Sequence, residues 1–225
     1  MRISAKIIIP AAIALSGLYS CSGRADSFGY DDVDTADTLT HHARYLCMAD
    51  CGNGTVLVDI ADPWNDGRTL ARYALVHRDS TIPENLDDSR FIIRTPVERM
   101  AVCSSVHTGA LNELGAISSV VAVTDAAYFP PSDTVSRLLA KREIIDAGSP
   151  ATPSMERLAA ARAQVALRSP MQGITAGALP SSTIPVEMAD YLETTPIGRA
   201  EWLLLLGELA GTRDTARRIF TDVID

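Results

Sequence analysis

The chain has 225 residues, of which 47% are hydrophobic and 21% are charged, and its formal net charge is −8. This length is enough for one ordinary domain with its own core and a small addition. The negative charge argues against nucleic acid or an anionic surface as the main partner, because phosphate binding needs a basic patch and the sequence has no Lys/Arg cluster.

The N-terminus has the pattern of a secretory signal, predicted over residues 1–20. Arg2 and Lys6 precede an apolar run, Ile7–Leu18, that is too short to span a bilayer comfortably. The sequence Leu18-Tyr19-Ser20-Cys21 resembles a bacterial lipobox, which implies lipidation of Cys21 and a membrane anchor. An ordinary signal peptide followed by a chance cysteine is the alternative.

The next two segments have different compositions. Residues 21–40 are rich in Ser, Gly, Asp and Thr, which is typical of a flexible tether. Within residues 41–94, two strand-like runs, Thr55–Ala61 and Thr69–His77, flank the turn-rich Asp62–Gly67. This order predicts a small β-hairpin ahead of the main domain.

Residues 95–195 alternate between short apolar runs and helical patterns, which predicts an α/β fold, a Rossmann-like lobe with a parallel sheet flanked by helices. The strands are expected at 99–103, 120–123, 143–146, 164–168 and 184–188. Helices are expected at 106–114 and 153–161, the latter with Thr152 as N-cap and Ser105 as a candidate cap of the former. Residues 196–225 predict two more helices, Pro196–Ala210 between Thr195 and Gly211, and one from Thr212 to the chain end.

Three cysteines follow Cys21. Cys103 lies in an apolar run and is expected to be a buried small hydrophobe. Cys47 and Cys51 are predicted to form a local disulfide in an oxidising compartment. Half of a metal site is the alternative, which would need a second pair of ligands that the sequence lacks.

Five segments, in order, resemble one family. They are RTPVERMAV with SSVH and LNELGA, then VVAVTD with Tyr128, then PSMERL with VALRSP, then IPV, and last DYLETTPIGRAEW. Together they are similar to periplasmic binding proteins of ABC importers for ferric siderophores, haem and vitamin B12. The family has two α/β lobes joined by a long helix, with ligand in the cleft between them. The resemblance covers roughly residues 60–225, the N-terminal lobe, and implies that the joining helix starts near Thr212 and that the second lobe is absent.

Candidate ligand contacts follow the strands, since ligands of open α/β sheets lie outside the carboxyl ends of the strands. After the first strand, the free N–H groups at the N-terminus of the following helix favour ligand binding, although a cap role for Ser105 is the alternative. His107 is expected either to contact a chelate or to pack against the sheet. The Tyr128 ring suits stacking on a flat ligand, and Met171 suits an apolar ligand. Packing within the fold is the alternative for both side chains. The predicted ligand-binding residues are Ser104, Ser105, His107, Tyr128, Ser169, Met171 and Tyr191.

Glu156 is expected on an exposed helix, where the resemblance implies docking to an ABC permease through complementary charge. A carboxylate that favours the helix dipole is the alternative. No nucleophile elbow, phosphate loop or zinc-protease motif occurs in the sequence, so no enzyme activity, cofactor or resident metal is predicted. The predicted function is an extracytoplasmic lipoprotein that delivers a metal chelate to a permease. A one-lobe interaction module is the alternative, and an exported enzyme ranks third.

Overall fold

A computed structural model describes residues 36–130, 133–173 and 178–225. Its ten strands form two five-stranded sheets: β1 (Asp37–Thr38), β2 (Leu46–Asp50), β3 (Thr55–Ala61), β4 (Thr69–His77), β5 (Phe91–Thr95), β6 (Met100–Val102), β7 (Val120–Val123), β8 (Ile145–Asp146), β9 (Val165–Arg168) and β10 (Ile184–Glu187). The helices are α1 (Ser105–Glu113), α2 (Thr134–Ala140), α3 (Met155–Ala161), α4 (Pro196–Ala210) and α5 (Arg213–Ile224).

The second sheet is parallel throughout, in the order β10-β9-β6-β7-β8. Its two faces differ because side chains alternate along each strand. Met100, Val102 and Leu167 face the main core, which also contains residues of the first sheet, α1 and α4. Ala101 and Ala166 face the other way, onto α3. The predicted parallel sheet flanked by helices is therefore confirmed.

The first sheet is larger than the predicted hairpin. The strands β3 and β4 do pair antiparallel, but β1 and β2 extend the sheet on one side and β5 joins β4 in parallel on the other. Its residues Val58, Ile60 and Tyr73 are buried in the same core as the parallel sheet. The two sheets therefore share one apolar interior.

Helix α4 has the bounds that its flanking residues predict. The Thr195 hydroxyl accepts a hydrogen bond from the Gly198 N–H at 3.0 Å, Pro196 occupies the first turn, and Gly211 ends the helix with φ of 71°. Trp202, 2% exposed, lies on the buried side, and burial of such a side chain contributes about 1.5–3 kcal/mol.

Two predicted helix caps differ from the structure. Helix α3 begins at Met155, and its N-cap is Ser154, whose hydroxyl accepts from the Arg157 N–H at 3.3 Å, rather than Thr152. Helix α1 begins at Ser105, so that Ser104 is its N-cap, and no side-chain cap bond is made there. The expected cap role of Ser105 was therefore wrong.

Two buried carboxylates hold the segment between β1 and β2. The Glu201 carboxylate accepts hydrogen bonds from the backbone N–H groups of His41, His42 and Ala43 at 2.7, 2.9 and 2.6 Å. Glu193 accepts from the next two backbone N–H groups, at 2.9 and 3.0 Å, and from the Trp202 indole at 3.1 Å. Five consecutive amides of residues 41–45 are thus satisfied by two side chains from the far end of the chain.

Candidate functional site

The carboxyl ends of the parallel strands form one edge of the lobe. Here β6 is followed by Ser104, β7 by Asp125, β9 by Ser169, and β10 by the short helical turn Asp190–Leu192. Since neighbouring parallel strands end at the same edge, the structure places the predicted ligand residues of four separate segments on this edge. We call it the strand-end face.

Large apolar side chains are exposed on the strand-end face. Val106 is 67% exposed, Tyr128 79%, Met171 51% and Tyr191 43%. Ser105 and Ser169 are also exposed, and Ser104 is partly buried. A face with several exposed apolar and aromatic side chains is typical of a binding surface.

A cavity of about 310 Å³ lies between α1 and the segment that joins β7 to α2. It is lined by Ser105, Thr108, Asn112, Glu113, Tyr128 and Asp133, among others. The first N–H groups of α1 have no partner within the helix and open toward this end of the sheet. The cavity thus combines an aromatic ring, hydroxyl and amide groups and two carboxylates.

His107 does not belong to the exposed face. It is 3% exposed, because His107, Thr108 and Leu111 form the buried side of α1. Its Nε2 lies 2.9 Å from Oδ1 of Asp190, which is also buried. The burial of His107 favours packing against the sheet over direct contact with a ligand, and in the structure this side chain joins α1 to the turn after β10.

Tyr191 connects two loops of the strand-end face. Its hydroxyl donates a hydrogen bond to the Pro170 carbonyl, in the loop after β9. Burial, with the neighbouring Asp190 carboxylate, raises the pKa of the Tyr191 phenol. Arg199 of α4 donates to the carbonyls of Asp190 and Tyr191 at 3.3 and 3.2 Å. These bonds hold the exposed ring of Tyr191 in a defined position.

An ion pair that we did not predict lies beneath this face. Arg168 and Glu187 end adjacent strands and are register partners, and the Arg168 Nε donates to Glu187 Oε1 at 2.7 Å. The backbone N–H of Glu187 in turn donates to the Tyr73 hydroxyl at 3.0 Å, which joins the two sheets. Opposite charges at the ends of neighbouring predicted strands were the sequence signal for this pair.

Cys103 lies beside this pair, at the end of β6. Burial raises the pKa of its thiol to about 11, while Arg168 opposes this rise. The expectation of a buried small side chain is close to what is seen, since Cys103 is only partly exposed. At neutral pH the thiol stays protonated and weakly nucleophilic.

Glu156 lies on the first turn of α3 and is exposed. It is adjacent to the exposed Met155 side chain. The position leaves the carboxylate accessible to a partner, and it also favours the N-terminal end of the helix dipole. Both interpretations of Glu156 therefore remain predictions.

The predicted disulfide between Cys47 and Cys51 does not form in the structure. Cys47 is the second residue of β2, and Cys51 directly follows that strand. Four residues of extended strand span about 13 Å, whereas the Cα atoms of a disulfide lie within about 7 Å of each other. The strand geometry therefore contradicts the disulfide.

Other predictions concern residues 1–35, 131–132 and 174–177. The signal segment, the lipidation of Cys21 and most of the tether lie outside the described residues. Within residues 36–130, 133–173 and 178–225, no group of three or more His, Cys, Asp or Glu residues is placed to hold a metal ion. In the same part of the chain, no helix is both long and apolar enough to cross a membrane.

Comparison with known proteins gives one curated relative and several solved structures, whereas no family model matches the chain. An uncharacterized lipoprotein of Methanocaldococcus jannaschii is 25% identical over an alignment of 188 residues, and the match covers 74% of this chain and 45% of the relative. The chain thus spans less than half the length of the curated relative that it matches.

The similar solved structures are of periplasmic binding proteins. One from Veillonella parvula has a TM-score of 0.48 at 15% identity, over 75% of this chain and 50% of that one. The siderophore-binding protein BauB has a TM-score of 0.40 at 19% identity, over 56% and 44%. The haem-binding protein HutB of Vibrio cholerae has a TM-score of 0.42 at 16% identity, over 56% and 46%. Of these proteins, BauB binds a siderophore and HutB binds haem.

Proposed function

We propose that the chain is an extracytoplasmic solute-binding lipoprotein of an ABC importer, which captures a ferric siderophore, haem or a corrinoid and presents it to the permease. The observation that carries this proposal is the exposure of Val106, Tyr128, Met171 and Tyr191 on one face, at the ends of parallel strands. Such ligands are large and partly apolar, and aromatic rings supply contact area for them at low entropic cost.

The order of the motifs supports the same proposal. Segments far apart in the sequence, after β6, β7, β9 and β10, each contribute a side chain to the strand-end face. A catalytic site would need a nucleophile or base within reach of a reacting atom. The strand-end face instead offers apolar surface and hydroxyl groups, which suit binding.

The proposal is tested by titrating the protein with cyanocobalamin, haem and ferrichrome, with ligand absorbance and calorimetry as readouts. We expect saturable binding of one class. Tyr128→Ala should weaken it about tenfold, equivalent to about 1.4 kcal/mol, because this ring is the most exposed of the four apolar side chains. Ile82→Ala is the control. Ile82 is 42% exposed but lies in the connector, residues 78–90, which joins β4 to β5 in the first sheet. The proposal would be contradicted if the protein converted a probe chemically without binding it stably, or if it bound no class of probe.

The proposed anchor is tested separately. A chain carrying Cys21→Ser should lose incorporation of a fatty-acid label. It should also leave the membrane fraction, because the acyl chains of the proposed anchor are attached at Cys21. The unchanged chain is the reference. Equal labelling of both forms would contradict lipidation at Cys21 and leave the proposed ligand binding intact.

A further inference from the structure

Three arginines lie near the strand-end face, and the most central of them is neutralised by a carboxylate within the fold. Arg168 is the most central of them, and both its Nε and its Nη2 donate to Glu187 Oε1, at 2.7 and 2.5 Å. Glu187 is 8% exposed. This ion pair therefore has no net charge, and the Arg168 guanidinium points along the sheet toward β10 and not out toward a ligand.

Two further arginines near this edge hold loops. Arg157 donates to the Asp146 carbonyl, at the end of β8, at 2.8 Å. Arg199 donates to the carbonyls of Asp190, Tyr191 and Glu193. These carbonyl bonds hold the loops in place but leave both guanidinium charges unneutralised. Arg199, whose Nε and Nη2 are both occupied, would have to give up a bond to grip an anionic ligand bidentately, whereas Arg157 donates from Nη1 alone.

The polar groups that line the adjoining cavity include carboxylates. Glu113 and Asp133 lie with Tyr128 in its wall. The Asp133 carboxylate accepts from the Val135 N–H at 2.6 Å, which fixes it at the start of α2. A negatively charged ligand would meet like charges here, and like-charge contacts disfavour such a partner.

We propose that the strand-end face selects a metal chelate of zero or positive net charge, held by apolar and aromatic contact, and rejects polyanionic chelates. This inference rests on the proposed function and narrows its substrate class. The four exposed apolar side chains supply the attraction, and the cavity carboxylates, with Arg168 neutralised by Glu187, supply the discrimination.

The test uses two pairs of probes that differ in charge. Ferrichrome, which is neutral, is compared with ferric enterobactin, which is anionic, and neutral cyanocobalamin is compared with haem, whose propionates are anionic. We expect the neutral member of one pair to bind about tenfold tighter or better than its anionic counterpart. We also expect its affinity to change less than about threefold between low and high salt, because screening acts on charged contacts.

The outcomes separate the two proposals. Tighter binding of an anionic probe would overturn the charge selection and leave the solute-binding function standing. Failure of all four probes to bind would overturn both. A steep loss of affinity with salt for a neutral probe would also contradict the inference.

A single substitution tests the ion pair directly. Glu187→Gln releases the Arg168 guanidinium, so affinity for the anionic probe of the pair should rise about fivefold or more. Glu143→Gln removes the same charge from an exposed position outside this face and should leave affinity unchanged. An unchanged preference in folded Glu187→Gln would overturn the inference. If this variant does not fold, the salt dependence and probe preference of the unmodified chain decide.

Discussion

His107 Nε2 lies 2.9 Å from Asp190 Oδ1, and both side chains are buried. His107 comes from α1, two residues after Ser105, and Asp190 directly precedes Tyr191. The hydrogen bond therefore fixes two segments of the strand-end face relative to each other, although neither partner is itself exposed there.

We expect Asp190→Asn to lower the free energy of unfolding by about 1–2 kcal/mol, because a carboxamide replaces the carboxyl group that makes the buried hydrogen bond to the His107 ring. Urea denaturation measures this change. Asp222→Asn, at an exposed position on α5, is the matched control and should be neutral. Equal stability of both variants would show that the His107 contact contributes nothing.

Glu201→Gln should destabilise the protein by about 1–3 kcal/mol, since its carboxylate accepts three backbone N–H groups and an amide nitrogen has no lone pair for them. Glu84→Gln, in the exposed connector, is the control. Denaturation monitored by circular dichroism gives the difference. A Glu201→Gln protein as stable as the control would contradict the role assigned to this carboxylate.

Arg213 joins α5 to two carboxylates, Glu208 and Asp50, at 2.5 Å each. Burial raises the pKa of the Glu208 carboxyl, and Arg213 opposes this rise. A raised folded-state pKa means that the contribution of Glu208 to stability decreases as pH rises from its ordinary value of 4.5 through the raised value. Arg213→Met removes the opposing charge and should strengthen this decrease.

The expected loss for Arg213→Met is therefore about 1–3 kcal/mol at neutral pH and less in mild acid, where Glu208 is protonated. Denaturation midpoints across this pH range measure it. Arg218→Met, exposed on the same helix, should show no such dependence. A loss that grows as pH falls would contradict the expected direction of this dependence.

The Cys103 thiol should react at least about tenfold more slowly with a thiol-specific reagent in the folded protein at pH 8 than in urea, because burial raises its pKa to about 11. Peptide mass spectrometry identifies the labelled cysteine. The unfolded chain is the internal control. Equal rates in both states would show that this thiol is more accessible than the structure places it.

Docking through Glu156 predicts that Glu156→Arg abolishes transport by the complete importer and leaves ligand affinity unchanged, because the residue is exposed on α3. Uptake of labelled ligand measures transport. Glu84→Arg makes the same charge reversal in the connector and should transport normally. Normal uptake by the Glu156 variant would leave only the helix-dipole interpretation.

The sequence predicted the parallel sheet and the bounds of α4 because local signals and tertiary packing agree there. Thr195, Pro196 and Gly211 each mark a helix end by their own chemistry. The strand β2 was missed because Cys47 and Cys51 were interpreted as a disulfide pair, and α2 was missed although Asp133 caps it.

The candidate site was only partly predictable, for a different reason. Strand ends follow from the pattern of a parallel sheet, so Tyr128 and Tyr191 were found. Helix α1 starts one residue earlier than predicted, at Ser105, and its buried side includes His107 and Thr108, which a hydrophobic pattern does not mark as core. The burial of His107 depends on packing between segments that the sequence does not display. The pairing of Arg168 with Glu187 had a signal, their opposite charges at the ends of two predicted strands, which we did not use.

The hydrogen bond from the Glu187 N–H to the Tyr73 hydroxyl has a consequence for amide exchange. This amide, the last of β10, is protected by a phenol of the other sheet and not by a carbonyl of its own. Its exchange with deuterium therefore requires the two sheets to separate locally, without the parallel sheet itself unfolding. A single backbone proton thus reports on the fit between the two halves of the core, and Tyr73→Phe would release it.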